Sequence, residues 1–203
     1  WGLILNKINM LNIIIFGPPG CGKGTQSVRI AKRYNLLHIS TGDIIRNEIK
    51  SGSKFGIQLK TIVEKGELVP YELIIKILES ALVKNKNTEG YIFDGYPRTI
   101  KQAIDLDKIL KKENETISMV LGLKVGDDKI LNRLLKRAKV EGRKDDTEDV
   151  IKNRLKIYRD ETCPLIHWYE ERGKFIELMG DCSIDEIFEQ TCQLIDSKLE
   201  VTV

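Results

Sequence analysis

Residues 16–26 read FGPPGCGKGTQ, and in them Gly17, Gly22 and Lys23 fall on the spacing G-x-x-x-x-G-K-[ST] of a phosphate-binding loop. Glycines let a backbone wrap closely around an anion and turn its N–H groups inward. A lysine adds a mobile point charge, and a hydroxyl near the start of the following helix serves the magnesium side. Gly24 stands where the pattern has Ser or Thr, and the hydroxyl comes one residue later, at Thr25. Gly20, Cys21, Gly22, Lys23, Gly24 and Thr25 are therefore expected to cradle the phosphates of a nucleotide.

A second acidic and basic set accompanies the loop. YIFDGYPR places Asp94 at the end of an apolar run, where a carboxylate can hold Mg²⁺ beside the loop. Taken alone, Asp-Gly is an ordinary turn pair; the phosphate loop favours the magnesium role. Lys23, Arg46, Arg98, Arg137, Arg143 and Arg154 are candidates for a cationic shell, in which a planar guanidinium meets phosphate oxygens in pairs. Arg133 and Arg137, four apart, share a helix face. The plain alternative for each arginine is a solvated helix charge, the better reading for Arg133 taken alone, and Lys136 is read that way.

The elements that must position these residues are legible around them. LNIIIF (11–16) is a continuous β-branched run ending at the glycine-rich turn, the pattern of a strand buried on both faces. Residues 25–35, TQSVRIAKRYN, carry a helical stripe at Val28, Ile30, Ala31 and Tyr34. Four more apolar runs read as strands: 36–40, 91–94, 117–125 and 174–178. Helical patterns alternate with them, which predicts an α/β fold with a five-stranded parallel sheet between helical layers, α/β/α. Residues 41–69 read instead as two short helices joined by SGS, and 137–149 as a highly charged connection. Both follow strands, where such folds place binding loops.

Composition narrows the classes. Among 203 residues, 33 basic and 30 acidic side chains leave a net charge of +3, and aromatics are only 6%. No basic, aromatic-interleaved stripe is present, so a nucleic-acid partner is not expected. The four cysteines form no C-x-x-C pair and the two histidines, His38 and His167, are far apart in sequence. Neither zinc nor a redox dithiol is indicated; reduced, mostly buried thiols in a cytoplasmic protein are expected, and both histidines are read as structural. Residues 1–9 read as an extension before Met10, too short for a membrane span. SIDE (183–186) is a capping box.

With GPPGCGKGTQ, STGD (40–43), DGYPRT (94–99) followed by Gln102, and EGRKDD (141–146) followed by Arg154, the sequence resembles the adenylate kinases from about Met10 to the C-terminal helix. In that family the loop reads G-K-G-T, so Gly24 is a family mark. The resemblance implies a P-loop CORE (10–39, 70–133 and 150–203), a helical lobe for the nucleoside monophosphate (40–69) and a short LID (134–149). It implies transfer of the γ-phosphoryl group of MgATP to AMP by a monomer, with Mg²⁺ as cofactor held at Thr25 and Asp94.

The resemblance also distributes roles. ATP would lie on residues 20–25, Arg133, Arg137 and the backbone near Cys182, with Arg133 stacking on its adenine. AMP would meet Thr41, Arg46, Glu67, Leu68, Val69, Gly95, Tyr96, Pro97, Arg98 and Gln102. Arg143 and Arg154 would bridge the transferring group, and Lys23, Arg98, Arg137, Arg143 and Arg154 would be catalytic. Thr41 and Asp43 point to adenine rather than to the UMP/CMP branch, where S-A-G-E is common; a UMP/CMP kinase and a non-catalytic nucleotide-binding module are the alternatives. The LID lacks the inserted cysteines of long-LID relatives, so no LID zinc is expected. Asp145 and Asp146 either latch the LID to arginines or cap the helix that follows.

Overall fold

The computed structural model describes residues 10–70, 72–75, 78, 82, 88–143 and 146–200; the extension 1–9, Lys144 and Asp145 lie outside the described residues. Five strands, β1 (Leu11–Phe16), β2 (Leu37–Ser40), β3 (Gly90–Asp94), β4 (Met119–Lys124) and β5 (Phe175–Met179), form one sheet in the order β2-β3-β1-β4-β5. Every pairing is parallel, so the expected sheet is present. Its edges differ from expectation by a residue or two; β4 is shorter at both ends because Ile117 and Val125 are buried in loops rather than in the ladder.

All six residues of β1 are buried. Leu11, Ile13 and Ile15 point into one apolar cluster with Ile30, Leu121, Ile130 and Ile195. Ile14 and Phe16 point into the other, with Phe93, Leu106, Val120 and Leu165. Alternate side chains thus feed opposite layers, and burial of each such side chain contributes roughly 1.5–3 kcal/mol. This is why the run is apolar throughout rather than alternating.

The helices that can be followed from end to end in the described residues are α1 (Lys23–Tyr34), α2 (Thr41–Lys50), α3 (Lys54–Glu64), α4 (Ile100–Lys112), α5 (Asp127–Glu141), α6 (Glu148–Ile157), α7 (Cys163–Glu170) and α8 (Ile184–Glu200). In α1 the inward face is Ser27, Ile30 and Ala31 with Gln26; Val28 is 57% exposed and leaves the predicted stripe, being one residue out of step with that face. Residues 41–69 hold the two expected short helices, with Ser40 and Ser53 capping them through Asp43 N–H (3.3 Å) and Gly56 N–H (2.8 Å). The capping box before α8 is formed, Glu186 accepting from Ser183 N–H at 2.8 Å and Ser183 from Glu186 N–H at 3.2 Å.

Between α6 and α7 the chain widens into a π-helix over Tyr158–Thr162. Cys163 N–H bonds to Tyr158 O, and Pro164 follows in the first turn of α7. Proline has no N–H and its ring crowds the carbonyl four residues back, so an extra residue in the turn relieves the conflict. Among the described residues no helix is long and apolar enough to cross a membrane.

The N-terminal ends of the strands are sealed by a polar plug. Asn12 is fully buried, its Nδ2 donating to Thr116 O (2.9 Å) and its Oδ1 accepting from Tyr91 N–H (3.2 Å). The C-terminal ends open instead. Beyond them, where β1 has β3 on one side and β4 on the other, lies the crevice in which open parallel sheets bind ligands.

Candidate active site

The loop after β1 leads into a helix start unlike its neighbours. α1 has no side-chain cap and no acidic residue in its first turn, and its N-cap, Gly22, sits at φ 106°. A Cβ at Gly22 would meet nothing within 4 Å, because the residue faces the open cleft; one at Gly20 (φ 80°) would come within 2.7 Å of Leu134. Glycine is thus required at both positions, and the helix offers free N–H groups and its positive end to an anion. Lys23 Nζ donates to Gly17 O at 2.7 Å and Pro18 O at 2.9 Å, which holds the ammonium over the mouth of the loop.

Asp94 ends β3 and faces this helix start. A Cβ at Gly24 would lie 3.5 Å from Asp94 Oδ2, in ordinary contact, and His38 Nε2 is 3.5 Å from the same oxygen. Thr25 is exposed one residue further along, on the wall of the same cleft. One carboxylate and one hydroxyl fit Mg²⁺, which keeps several waters and takes the rest of its shell from substrate phosphates. Among the described residues no group of three or more His, Cys, Asp or Glu could hold a metal by protein atoms alone.

The cleft has a volume of about 1020 Å³. Residues 20–25, Asp94, Pro97, Arg133, Arg137, Arg143 and Cys182 line it. A smaller cavity of about 70 Å³ adjoins it, lined by Thr41, Glu67, Val69, Tyr96 and Gln102. Arg46, Leu68, Gly95, Arg98 and Arg154 line both. Every residue named from the sequence for nucleotide or magnesium binding therefore lines one or both of these adjoining cavities, and three arginines stand at their junction.

The cationic side chains are held individually. Arg98 donates through Nε to Gly95 O at 2.9 Å, and its N–H donates to Gln102 Oε1 at 2.7 Å. Burial first, then the nearby Arg154 and Arg46 guanidiniums, push its pKa down to about 10, so it stays charged at neutral pH but is crowded by like charge. Arg137 and Arg154 share Asp146, whose side chain is fully buried. Asp146 thus makes the arginine latch; the α6 N-cap is Thr147, which makes no side-chain cap bond. Arg143 pairs with Glu141 at 2.6 Å, and Arg133 reaches Cys21 O at 3.4 Å and Gly180 O at 3.3 Å, tying the phosphate loop to the segment that carries Cys182.

Contacts also join the small cavity to α6. Asn153 Nδ2 donates to Lys65 O at 2.7 Å. Thr41 Oγ1 donates to Gly95 O at 3.1 Å, which fastens the start of α2 to the loop after β3.

The fold brings to the cleft several residues that the sequence does not mark as part of it. His38 and Lys136 line it, as do Tyr158 and Thr162 of the π-helix. For His38 a signal existed, since it lies near the C-terminal end of a parallel strand. For Tyr158 and Thr162 there was none, because a π-turn has no periodicity to read. Of the four cysteines, all free, Cys21 and Cys192 are buried while Cys163 and Cys182 are half-buried, so burial is less complete than expected.

A parallel α/β sheet with a phosphate loop after its first strand, and a two-compartment cleft ringed by arginines, define a P-loop nucleotide kinase fold. The family model for adenylate kinase matches residues 15–174. An adenylate kinase of Bacteroides thetaiotaomicron is 47% identical over 187 residues, covering 92% of this chain and 99% of the relative. One of Phocaeicola vulgatus is 48% identical over 179 residues (88% and 95%), and one of Flavobacterium psychrophilum 41% over 189 (93% and 100%). The chain belongs to the adenylate kinase family and is a nucleoside monophosphate kinase, a transferase.

Proposed function

We propose that the large compartment holds MgATP, the small one AMP, and that the γ-phosphoryl group passes reversibly between them to give two ADP. The observation that carries this reading is the junction: Arg46, Arg98 and Arg154 line both cavities, where the phosphates of two nucleotides would meet. Phosphoryl transfer spreads negative charge over the moving group, so positioned cations lower the barrier without covalent chemistry. The AMP phosphate is already ionised and needs no general base.

In this reading the uncapped start of α1 and Lys23 hold the ATP phosphates, while Arg137, Arg143 and Arg154 reach the transferring group. Arg46 and Arg98 hold the AMP phosphate. Thr25 and Asp94 would hold Mg²⁺, which when bound neutralises phosphate oxygens. Arg133, fixed between Cys21 O and Gly180 O, lies where an adenine beside Cys182 would stack on it. Thr41 and Gln102 read the AMP base. Gln102 accepts from Arg98 N–H through its carbonyl oxygen, and its NH₂ group is the donor offered to the adenine ring.

Residues 40–69 act as the monophosphate lobe, 134–149 as the LID, and 10–39, 70–133 and 150–203 as CORE. The proposal extends to a monomeric cytoplasmic enzyme, supported by a site built within one chain and by four free thiols.

Phosphorus NMR of the protein with MgATP and AMP, CMP, UMP or GMP in turn tests the reading. ADP signals growing with AMP alone support it; faster growth with CMP or UMP transfers the protein to the pyrimidine branch, and no growth with any acceptor removes the catalytic reading.

A further inference from the structure

Arg98 is braced from within its own loop and also from far along the chain. Gln102 Oε1 holds its N–H at 2.7 Å, and Gly95 O holds its Nε at 2.9 Å. Tyr96 Oη donates to Gln102 O at 3.1 Å, and Thr99 Oγ1 accepts from Gln102 N–H at 3.3 Å, so residues 95–102 form one local frame. The Arg98 carbonyl takes its bond from outside that frame: Thr162 Oγ1 donates to it at 3.2 Å, across 64 residues.

Thr162 is the last residue of the π-helix and is 6% exposed. Its placement depends on that extra-wide turn. In an α-helix one residue is worth about 100° of rotation, so continuing α6 without the π-turn would aim position 162 away from Arg98. Pro164 supplies the local reason for the turn. The same helical rod carries Arg154, eight residues upstream, on the wall of both cavities.

We propose that Thr162 is a positioning residue for phosphoryl transfer, its hydroxyl fixing the Arg98 backbone relative to Arg154 so that Arg98, on the AMP phosphate, stays beside Arg154, on the transferring group. This rests on the reading that Arg98 holds the AMP phosphate. A buried hydroxyl bonded to a backbone carbonyl is a common structural feature. What distinguishes this one is that it joins the two elements bearing the junction arginines and is delivered by a π-turn.

Thr162→Val keeps the volume and removes the donor; Thr162→Ser keeps the donor and removes a methyl. The test measures kcat and the KM values for AMP and ATP in wild type, both variants, Arg98→Lys, and Arg98→Lys/Thr162→Val, with thermal midpoints alongside. Losing one hydrogen bond that orients a charged group corresponds to roughly a three- to tenfold change. The proposal expects Thr162→Val to raise KM for AMP by about that factor with KM for ATP nearly unchanged, and Thr162→Ser to restore it. It also expects Thr162→Val to add little once Arg98 is already Lys.

An unchanged KM for AMP in Thr162→Val overturns the proposal. So do equal losses for both nucleotides that track the thermal midpoint and are not rescued by Ser. If Arg98→Lys itself leaves KM for AMP unchanged, the Arg98 assignment fails first and the proposal falls with it. If Arg98→Lys raises that KM while Thr162→Val does not, the Thr162 proposal alone is wrong.

Discussion

Asp146 and Arg137 meet in a two-point ion pair, Nε to Oδ2 at 2.7 Å and Nη2 to Oδ1 at 2.8 Å, and Arg154 Nη1 adds a third bond to Oδ1 at 3.0 Å. The carboxylate side chain is fully buried, while the arginines keep 24% and 20% of their surface. One acid therefore holds two of the proposed phosphate-binding guanidiniums at a fixed separation, and their exposed faces look into the cleft. An arginine aligned before substrate arrives loses less side-chain entropy on binding.

Removing that acid leaves two partly buried guanidiniums without their shared partner. Asp146→Ala is expected to cost stability near the lower end of the ~3–5 kcal/mol typical of broken buried pairs, because both arginines can reach water. Urea unfolding monitored by circular dichroism measures it. A loss below about 0.5 kcal/mol, the range of ordinary surface substitutions, would mean that the pair is only a surface contact.

Asp43 gives a pH dependence with a definite sign. Burial raises its pKa, but hydrogen bonds from Arg46 and Ser40 and the charges of Arg46 and Arg143 outweigh burial and hold it below the usual aspartate value. A carboxyl depressed in the folded state contributes stability that is complete above its unfolded pKa and is lost as pH falls through the folded one. Wild-type protein is expected to lose this contribution below about pH 4, and Asp43→Asn to show a shallower stability loss over the same window. Asp43 is more than half exposed, so the effect is small, and parallel acid-unfolding curves for the two proteins would contradict it.

Base selection is expected to depend on the Gln102 amide. Gln102→Glu keeps an oxygen for Arg98 N–H but removes the NH₂ donor. Its ratio of kcat/KM for AMP over CMP should fall roughly threefold to tenfold, the worth of one hydrogen bond. A ratio equal to that of the wild type would place adenine recognition elsewhere, on Thr41 or the backbone.

Much of this was readable before any coordinates. The β1–loop–α1 unit combines a buried β-branched run with glycines at fixed offsets, two local signals that agree. The arginines were identifiable by type and by their motifs, but their pairings were not. Whether Asp146 would cap α6 or latch arginines depends on the path of the 137–149 connection, which spacing alone does not give. The period puts Val28 on the apolar stripe of α1, yet it lines the cleft, since the same apolar residue suits a buried face and a binding surface. Thr162 was invisible because its role comes from a π-turn and a partner 64 residues away.

The most direct test of the central claim, that phosphoryl transfer here rests on positioned cations at an uncapped helix start, is turnover of Lys23→Met in the MgATP-plus-AMP assay, with its thermal midpoint measured in parallel. Removing one preorganised charge from a developing phosphoryl anion is expected to lower kcat by at least about a hundredfold. The midpoint should stay near that of the wild type, because the Lys23 ammonium bonds within its own loop, to Gly17 O, Pro18 O and Cys21 Sγ. Near-normal turnover in a folded Lys23→Met protein would contradict the account.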